Sequence, residues 1–100
     1  MQQLSSGQRQ WLRKMAHDLR PTAQVGKNGL TEHVVAAVDE ALEANELIKV
    51  KFMDFQDQRQ ALSDTLADET RSVLVAVIGN VAILYREQAD PERRTITLPR

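Results

Sequence analysis

Residues 22–31, Thr22-Ala23-Gln24-Val25-Gly26-Lys27-Asn28-Gly29-Leu30-Thr31, decide how this chain is read. A strand-like run, Thr22 to Val25, leads into two glycines separated by Lys27 and Asn28, and a strongly periodic helix opens near Thr31. Strand, short loop and helix in that order predict a crossover unit. Two glycines let the backbone turn tightly and approach a ligand without side-chain bulk. The first turn of the following helix carries amide N–H groups with no partner inside the helix, at the positive end of its dipole. A lysine beside such donors suits a phosphate oxygen. On four residues alone, a Gly-x-x-Gly spacing fits equally a plain strand-to-helix turn that needs a positive φ and nothing more.

Upstream, Ser5 followed by Gln8 matches a capping box. Leu12, Met15, Ala16 and Leu19 recur at i, i+3, i+4 and i+7 and predict one buried helical stripe, with Trp11 on its margin and Pro21 ending the helix. At about 100° per residue, Arg9, Arg13, His17 and Arg20 fall within about 80° of one another on the adjacent stripe. Such a row repels itself, so helix stability does not account for it.

Downstream, a second helix is expected from Thr31, its N-cap, to about Asn45. Val34, Val35, Val38, Ala41 and Leu42 face inward, and Asp39, Glu40 and Glu43 face water. The run Leu47 to Phe52 alternates as a strand does, with Ile48, Val50 and Phe52 on one face and Leu47, Lys49 and Lys51 on the other. Asp57 is the expected cap of a third helix reaching Thr70, with Ala61, Leu62, Thr65 and Leu66 inward and Asp64, Asp68 and Glu69 outward. Val73 to Ile78 is apolar on both faces, which predicts a strand inside the sheet and covered on both sides. Gly79-Asn80 is a two-residue hairpin signal returning Val81 to Tyr85. The tail from Glu87 contains Pro91, Arg93 and Arg94. Thr95 to Leu98 either adds a short edge strand or stays mobile. The order α-β-α-β-α-β-β therefore describes an α/β domain over residues 1–86, a four-stranded mixed sheet with helices packed on it, followed by a tail over 87–100.

One hundred residues make one domain. The chain has no cysteine, which excludes disulfides, cysteine–zinc sites and thiol chemistry and fits a reducing cytosol. No apolar run approaches the roughly 18 residues of a membrane span, and Met1 to Ser6 is polar, so neither a span nor a secretory signal is expected and the cytoplasm is the expected location. The net charge of −1 conceals a segregation. Residues 1–30 carry five cations against Asp18, a net +4; residues 31–70 carry ten acids against Lys49, Lys51 and Arg59, a net −7; residues 71–100 return +2. Such asymmetry marks either a polyanion-binding face or solvated helix faces that differ in sign.

Catalytic constellations are missing. His17 and His33 lie on different predicted helices, sixteen residues apart, with no metal-ligand spacing around them. Glu40 with Glu43, and Asp68 with Glu69, sit on solvated faces where nothing raises a pKa. Ser5, Ser6 and Ser63 lack a nucleophile context. Trp11, Phe52, Phe55 and Tyr85 are too scattered to form a stacking platform, Phe52 reading as core and Trp11, at the margin of the basic helix, as the aromatic to watch. No enzyme, metal or cofactor is expected.

The stretches Leu4 to Gln10, Gly26 to Glu32, Glu46 to Lys51, Val77-Ile78-Gly79 with Leu84-Tyr85-Arg86, and Ile96 to Arg100 together resemble the CRM domain (chloroplast RNA splicing and ribosome maturation), in its single-domain bacterial, YhbY-type form. The resemblance covers essentially the whole chain in the right order. It implies a fold similar to the C-terminal domain of translation initiation factor 3 and a KH-like Gly-x-x-Gly loop, here Gly26, Lys27, Asn28 and Gly29, touching RNA. It also implies association with precursors of the large ribosomal subunit. Where the family often has a basic residue after the later glycine, this chain has Asn80. Arg9, Arg13, Lys14 and Arg20 are expected to join Lys27 on one RNA-binding surface of a monomer that needs neither membrane nor DNA. The alternative is a protein-interaction module whose acidic helices dock a basic ribosomal or assembly protein.

Overall fold

A computed structural model describes residues 3–99. Met1, Gln2 and Arg100, on which the polar amino terminus and the closing Pro99-Arg100 resemblance drew, lie outside them. Helix α1 (Ser6–Ala16) opens on the expected capping box: the Ser5 hydroxyl accepts from the Gln8 amide at 3.1 Å, and the Gln8 side chain accepts from the Ser5 amide at 3.0 Å. It stops at Ala16, well before Pro21. The Lys49 ammonium donates to the His17 carbonyl at 3.0 Å, satisfying one of the acceptors a helix end leaves open, and the chain turns away there. Only Leu12 and Ala16 of the expected stripe are buried; Met15 and Leu19 are 50% and 40% exposed.

Strand β1 (Ala23–Val25) leads through the glycine turn to α2 (Glu32–Ala44), where the Thr31 hydroxyl accepts from the Val34 amide. Strand β2 (Leu47–Phe52) follows, then a 3-10 turn over Gln56–Gln58 and α3 (Arg59–Thr70). Asp57 lies within that turn, and Gln58 takes the cap position with no side-chain bond, so the expected Asp57 cap is not formed. The buried face of α3 is Leu62, Ser63, Leu66, Ala67 and Thr70; Ala61 and Thr65, expected inward, are exposed. The two leucines fit either phase of the helix. Small Ala67 and the hydroxyl-bearing Ser63 and Thr70 let the helix lie close on the sheet and decide it.

The sheet order is β1-β2-β4-β3, with β3 (Val73–Ile78) and β4 (Val81–Tyr85) forming the hairpin around Gly79, whose φ is +57°. Strands β1 and β2 pair in parallel through the α2 crossover, Ala23 opposite Val50; β4 pairs antiparallel with both β2 and β3. Strand β3 is therefore an edge, and β4 occupies the interior position expected for it. The doubly apolar pattern overstated coverage, which is complete at Val73 and Val75 and lost at Ile78, 47% exposed, and coverage of faces says nothing about lateral position. The edge is managed by a bulge between Leu74 and Ala76 and by the Arg9 guanidinium, which donates to the carbonyls of Leu74 and Val75.

Strand alternation sends Val25, Ile48, Val50, Phe52 and Leu84 to one face under Val38, Leu42, Leu66 and Ala67 of α2 and α3. Leu47, Val75, Ile83 and Tyr85 go to the other, under Leu12 and Ala16 of α1. The tail neither forms a strand at 95–98 nor hangs free. The Glu46 carboxylate, 3% exposed, accepts from the amides of Gln88 (2.8 Å), Thr95 (2.7 Å) and Ile96 (2.9 Å), and Ile96 and Leu98 close the α1-side core.

Candidate nucleic-acid interface

The Gly26–Gly29 segment is a four-residue turn closed by the Gly29 amide donating to the Gly26 carbonyl at 3.0 Å. Gly29 holds φ +71°, a left-handed value that side chains with a Cβ resist. Gly26 is different: a Cβ there meets nothing within 4 Å, so its lack of a side chain leaves the turn bare and serves no packing need. Lys27 and Asn28 occupy the exposed central positions, and neither side chain has a hydrogen-bond partner among the described residues. Just beyond, the first turn of α2 sits at the positive end of its dipole, with the Val34 amide taken by the Thr31 hydroxyl. The turn is braced from below. Met53 donates its amide to the Val25 carbonyl at 2.8 Å, tying the ends of β1 and β2 together. Phe55, at φ +58°, sets its ring beside Gly29, 3.7 Å from where a Cβ would stand. At the same end of the sheet, Asn80 accepts from Arg59 through its side chain (2.7 Å) and from the Phe52 amide through its carbonyl (2.7 Å), a structural role at the position where a basic residue is frequent in the resembled family.

The predicted cations do not form one stripe. Arg20 lies beyond the end of α1, so the Arg9–Arg13–His17–Arg20 row is broken after Ala16. Arg9 is committed to the β3 carbonyls. Lys14, two residues from both Leu12 and Ala16, projects about 160–200° away from them, directly off the helix. Arg13 alone of the four cations expected there reaches the open part of the sheet, where with His17 and Lys49 it rims a cavity of about 170 Å³ floored by Ile78, Val81 and Ile83. From Lys49 the same strand face continues to exposed Lys51, about 6.6 Å further on, which pairs with Gln24 two residues before Gly26. The cations on the α1 side of the sheet are thus Arg13, Lys49 and Lys51, the last of them paired with Gln24, three residues before Lys27. The two β2 lysines were visible as residues on the non-core face of a strand. Their partnership with Arg13 needed the crossing of α1 over the sheet.

Charge is divided by layer. Helix α1 carries Arg9, Arg13 and Lys14 with no acid, whereas α2 and α3, on the opposite face, carry Glu32, Asp39, Glu40, Glu43, Asp64, Asp68 and Glu69 against Arg59. Part of that acidic layer is neutralised by Arg86, which donates to Asp39 at 2.7 Å and to Glu43 at 3.1 Å. Among the described residues no group of three potential metal ligands assembles, and no helix is long and apolar enough to cross a membrane.

A match to the CRS1/YhbY (CRM) domain covers residues 4–86. The chain belongs to the CRM domain family. Its CRM relatives include the "Probable RNA-binding protein YqeI" of Bacillus subtilis, 39% identical over 97 residues (96% of this chain, 99% of the relative), and the "RNA-binding protein" of Haemophilus influenzae, 40% identical over 101 residues (100% and 99%). The solution structure of SAV1595 from Staphylococcus aureus is similar to this CRM domain with a TM-score of 0.81 at 38% identity, covering 97% of this chain and 100% of that one.

Proposed function

We propose that this CRM domain is a non-enzymatic, monomeric RNA-binding protein of the cytoplasm that holds ribosomal RNA or its precursor during assembly of the large subunit. The observation that carries the reading is the bare Gly26–Gly29 turn, with a lysine at its tip that has no partner among the described residues, the N-terminal turn of α2 behind it, and Lys51 paired with Gln24 on the strand that leads into it. Loop amides and Lys27 grip one phosphate, and the β2 lysines and Arg13 follow the backbone away from it. The RNA-binding names of close-length relatives support the partner class, and the CRM resemblance supports the ribosomal target.

Salt-dependent binding of a large-subunit RNA fragment tests this. Lys27→Ala should weaken binding to every RNA sequence and flatten the dependence of log affinity on log salt by about 0.7–0.9, one phosphate contact. Unchanged affinity and slope would remove the loop from the interface. The acidic α2–α3 layer supports a second reading, docking of a basic protein. Association with pre-ribosomal particles that survives combined Arg13→Ala and Lys27→Ala substitution would favour it.

A further inference from the structure

We propose that the cavity between the end of α1 and the sheet holds one unpaired nucleotide of the bound RNA. Its base lies between the floor of Ile78, Val81 and Ile83 and the Arg13 guanidinium plane, and its phosphate on Lys49. This extends the RNA-binding reading and rests on it.

Four observations converge there. The first is exposure: Ile78 is 47% exposed at the last position of β3, on a sheet face that α1 covers only in part. The second is chemistry. The rim is Arg13, His17 and Lys49, the floor is aliphatic, and no carboxylate lines it, a combination that suits a flat apolar body carrying an anion. The third is availability. Arg13 makes no hydrogen bond or ion pair among the described residues, and Lys49 uses one of its three donors on the His17 carbonyl, which fixes it at the rim with two left over. The fourth is continuity: Lys51 on the same strand face bridges from Lys49 toward the phosphate-gripping turn. At about 170 Å³ the cavity is well below the roughly 300–1,000 Å³ of pockets for drug-sized ligands and takes a single ring system. A base inside a duplex cannot enter such a recess, so the occupant is unpaired. With no aromatic side chain present, the Arg13 guanidinium plane supplies the stacking partner.

The consequence is a preference for RNA with a single-stranded segment next to the strand whose phosphate sits on the glycine turn. The test uses a fluorescein-labelled RNA stem with an unpaired flank, and the same RNA with abasic residues in the flank. Wild-type protein should bind the intact RNA on the order of tenfold more tightly than the abasic one, comparable to other base-stacking sites. Ile78→Ser should bind both RNAs equally, at the abasic level, so the two losses do not add. Arg13→Met, which keeps the stem and removes the guanidinium, should narrow the difference in the same way. Lys27→Ala should weaken both RNAs by one common factor. Ile78 is half-exposed and not itself buried in the core, so unchanged circular dichroism of Ile78→Ser is expected; if that variant fails to fold, Arg13→Met decides alone. Equal binding of intact and abasic RNA by wild type, with the Lys27 effect retained, would overturn the nucleotide pocket and leave RNA binding standing. Failure of the wild type to bind either RNA would overturn both.

Discussion

Replacing Glu46 with glutamine isolates what fastens the tail. One carboxylate oxygen accepts from the Gln88 amide; the other accepts from the amides of Thr95 and Ile96 and from the Thr95 hydroxyl. Burial pushes this carboxyl's pKa up, but the hydrogen bonds from Gln88, Thr95 and Ile96 together outweigh it and hold it below the ordinary carboxylate value. Glutamine fits the volume and keeps one acceptor oxygen, yet its NH₂ must then face at least one of those amide donors. Charge-assisted bonds contribute about 1.5–3 kcal/mol each, and a buried donor left unpaired costs about 1–3 kcal/mol, so a total loss of about 3 kcal/mol is expected. For a domain of this size, about 4–8 °C of Tm per kcal/mol gives a fall of roughly 12–24 °C if the tail and core unfold together. If the tail detaches alone, the cost is limited to its own docking, and the signature is local. Trp11, the sole tryptophan, packs on the same cluster as Ile96 and Leu98, so its fluorescence reports the tail. Amide exchange at Thr95 and Ile96 reports the bonds themselves. Because the folded pKa is lowered, the stabilisation is present above the unfolded carboxyl pKa and is lost as pH falls through the folded value. Wild type should therefore release the tail in acid, with Glu46→Gln already released at neutral pH. Wild-type protection of the Thr95 and Ile96 amides in that variant would refute the clamp.

Three further outcomes follow from the same geometry. Gly26→Val should melt within about 2 °C of wild type, since its side chain enters open space, and lose RNA affinity several-fold because it covers the turn; calorimetry and the salt titration read the two effects. Arg9→Met should cost about 1–2 kcal/mol by uncapping the Leu74 and Val75 carbonyls, with the salt slope of RNA binding unmoved, the reverse of Lys27→Ala. Tyr85, the only tyrosine, is pushed up to about 12, first by burial and then by the Glu46 and Glu87 charges, so its ultraviolet ionisation should lie near 12 and stability should fall as pH rises from about 10 through that value. Its hydroxyl is buried with no partner among the described residues, and Tyr85→Phe should remove that alkaline loss at little cost below pH 10.

The elements were legible because their signals are local. A capping box at Ser5, the hydroxyl of Thr31, strict alternation from Leu47 and the Gly79-Asn80 hairpin each depend on neighbours a few residues away. What failed was set at long range. Nothing near Val73 announces that Arg9, more than sixty residues earlier, caps its bulge and leaves β3 at an edge. Nothing near Thr95 announces Glu46. The cationic stripe failed for a related reason: the wheel assumed a helix running to Pro21, and a tertiary bond from Lys49 to the His17 carbonyl meets the chain where α1 ends. Lys49 and Lys51 entered the surface only once α1 was seen to leave that half of the strand uncovered.

A net charge of −1 looks unsuited to a polyanion partner until it is resolved by layer. The sheet separates the two signs by its own thickness and by a helix layer on each side, about 10 Å per packing step. That is at or beyond the screening length of roughly 8 Å at physiological ionic strength. On the proposed reading, RNA approaching the α1 side meets Arg13, Lys49 and Lys51 with most acids of α2 and α3 on the far side of the sheet, while approach from the other side meets those acids first. On that reading, the polarity of the fold would do for orientation what a strongly basic composition cannot: favour the phosphate backbone from one side. Arg86, held by Asp39 and Glu43 within the acidic layer, is spent on closing the domain. Counting arginines along the chain therefore overstates the cations free to bind.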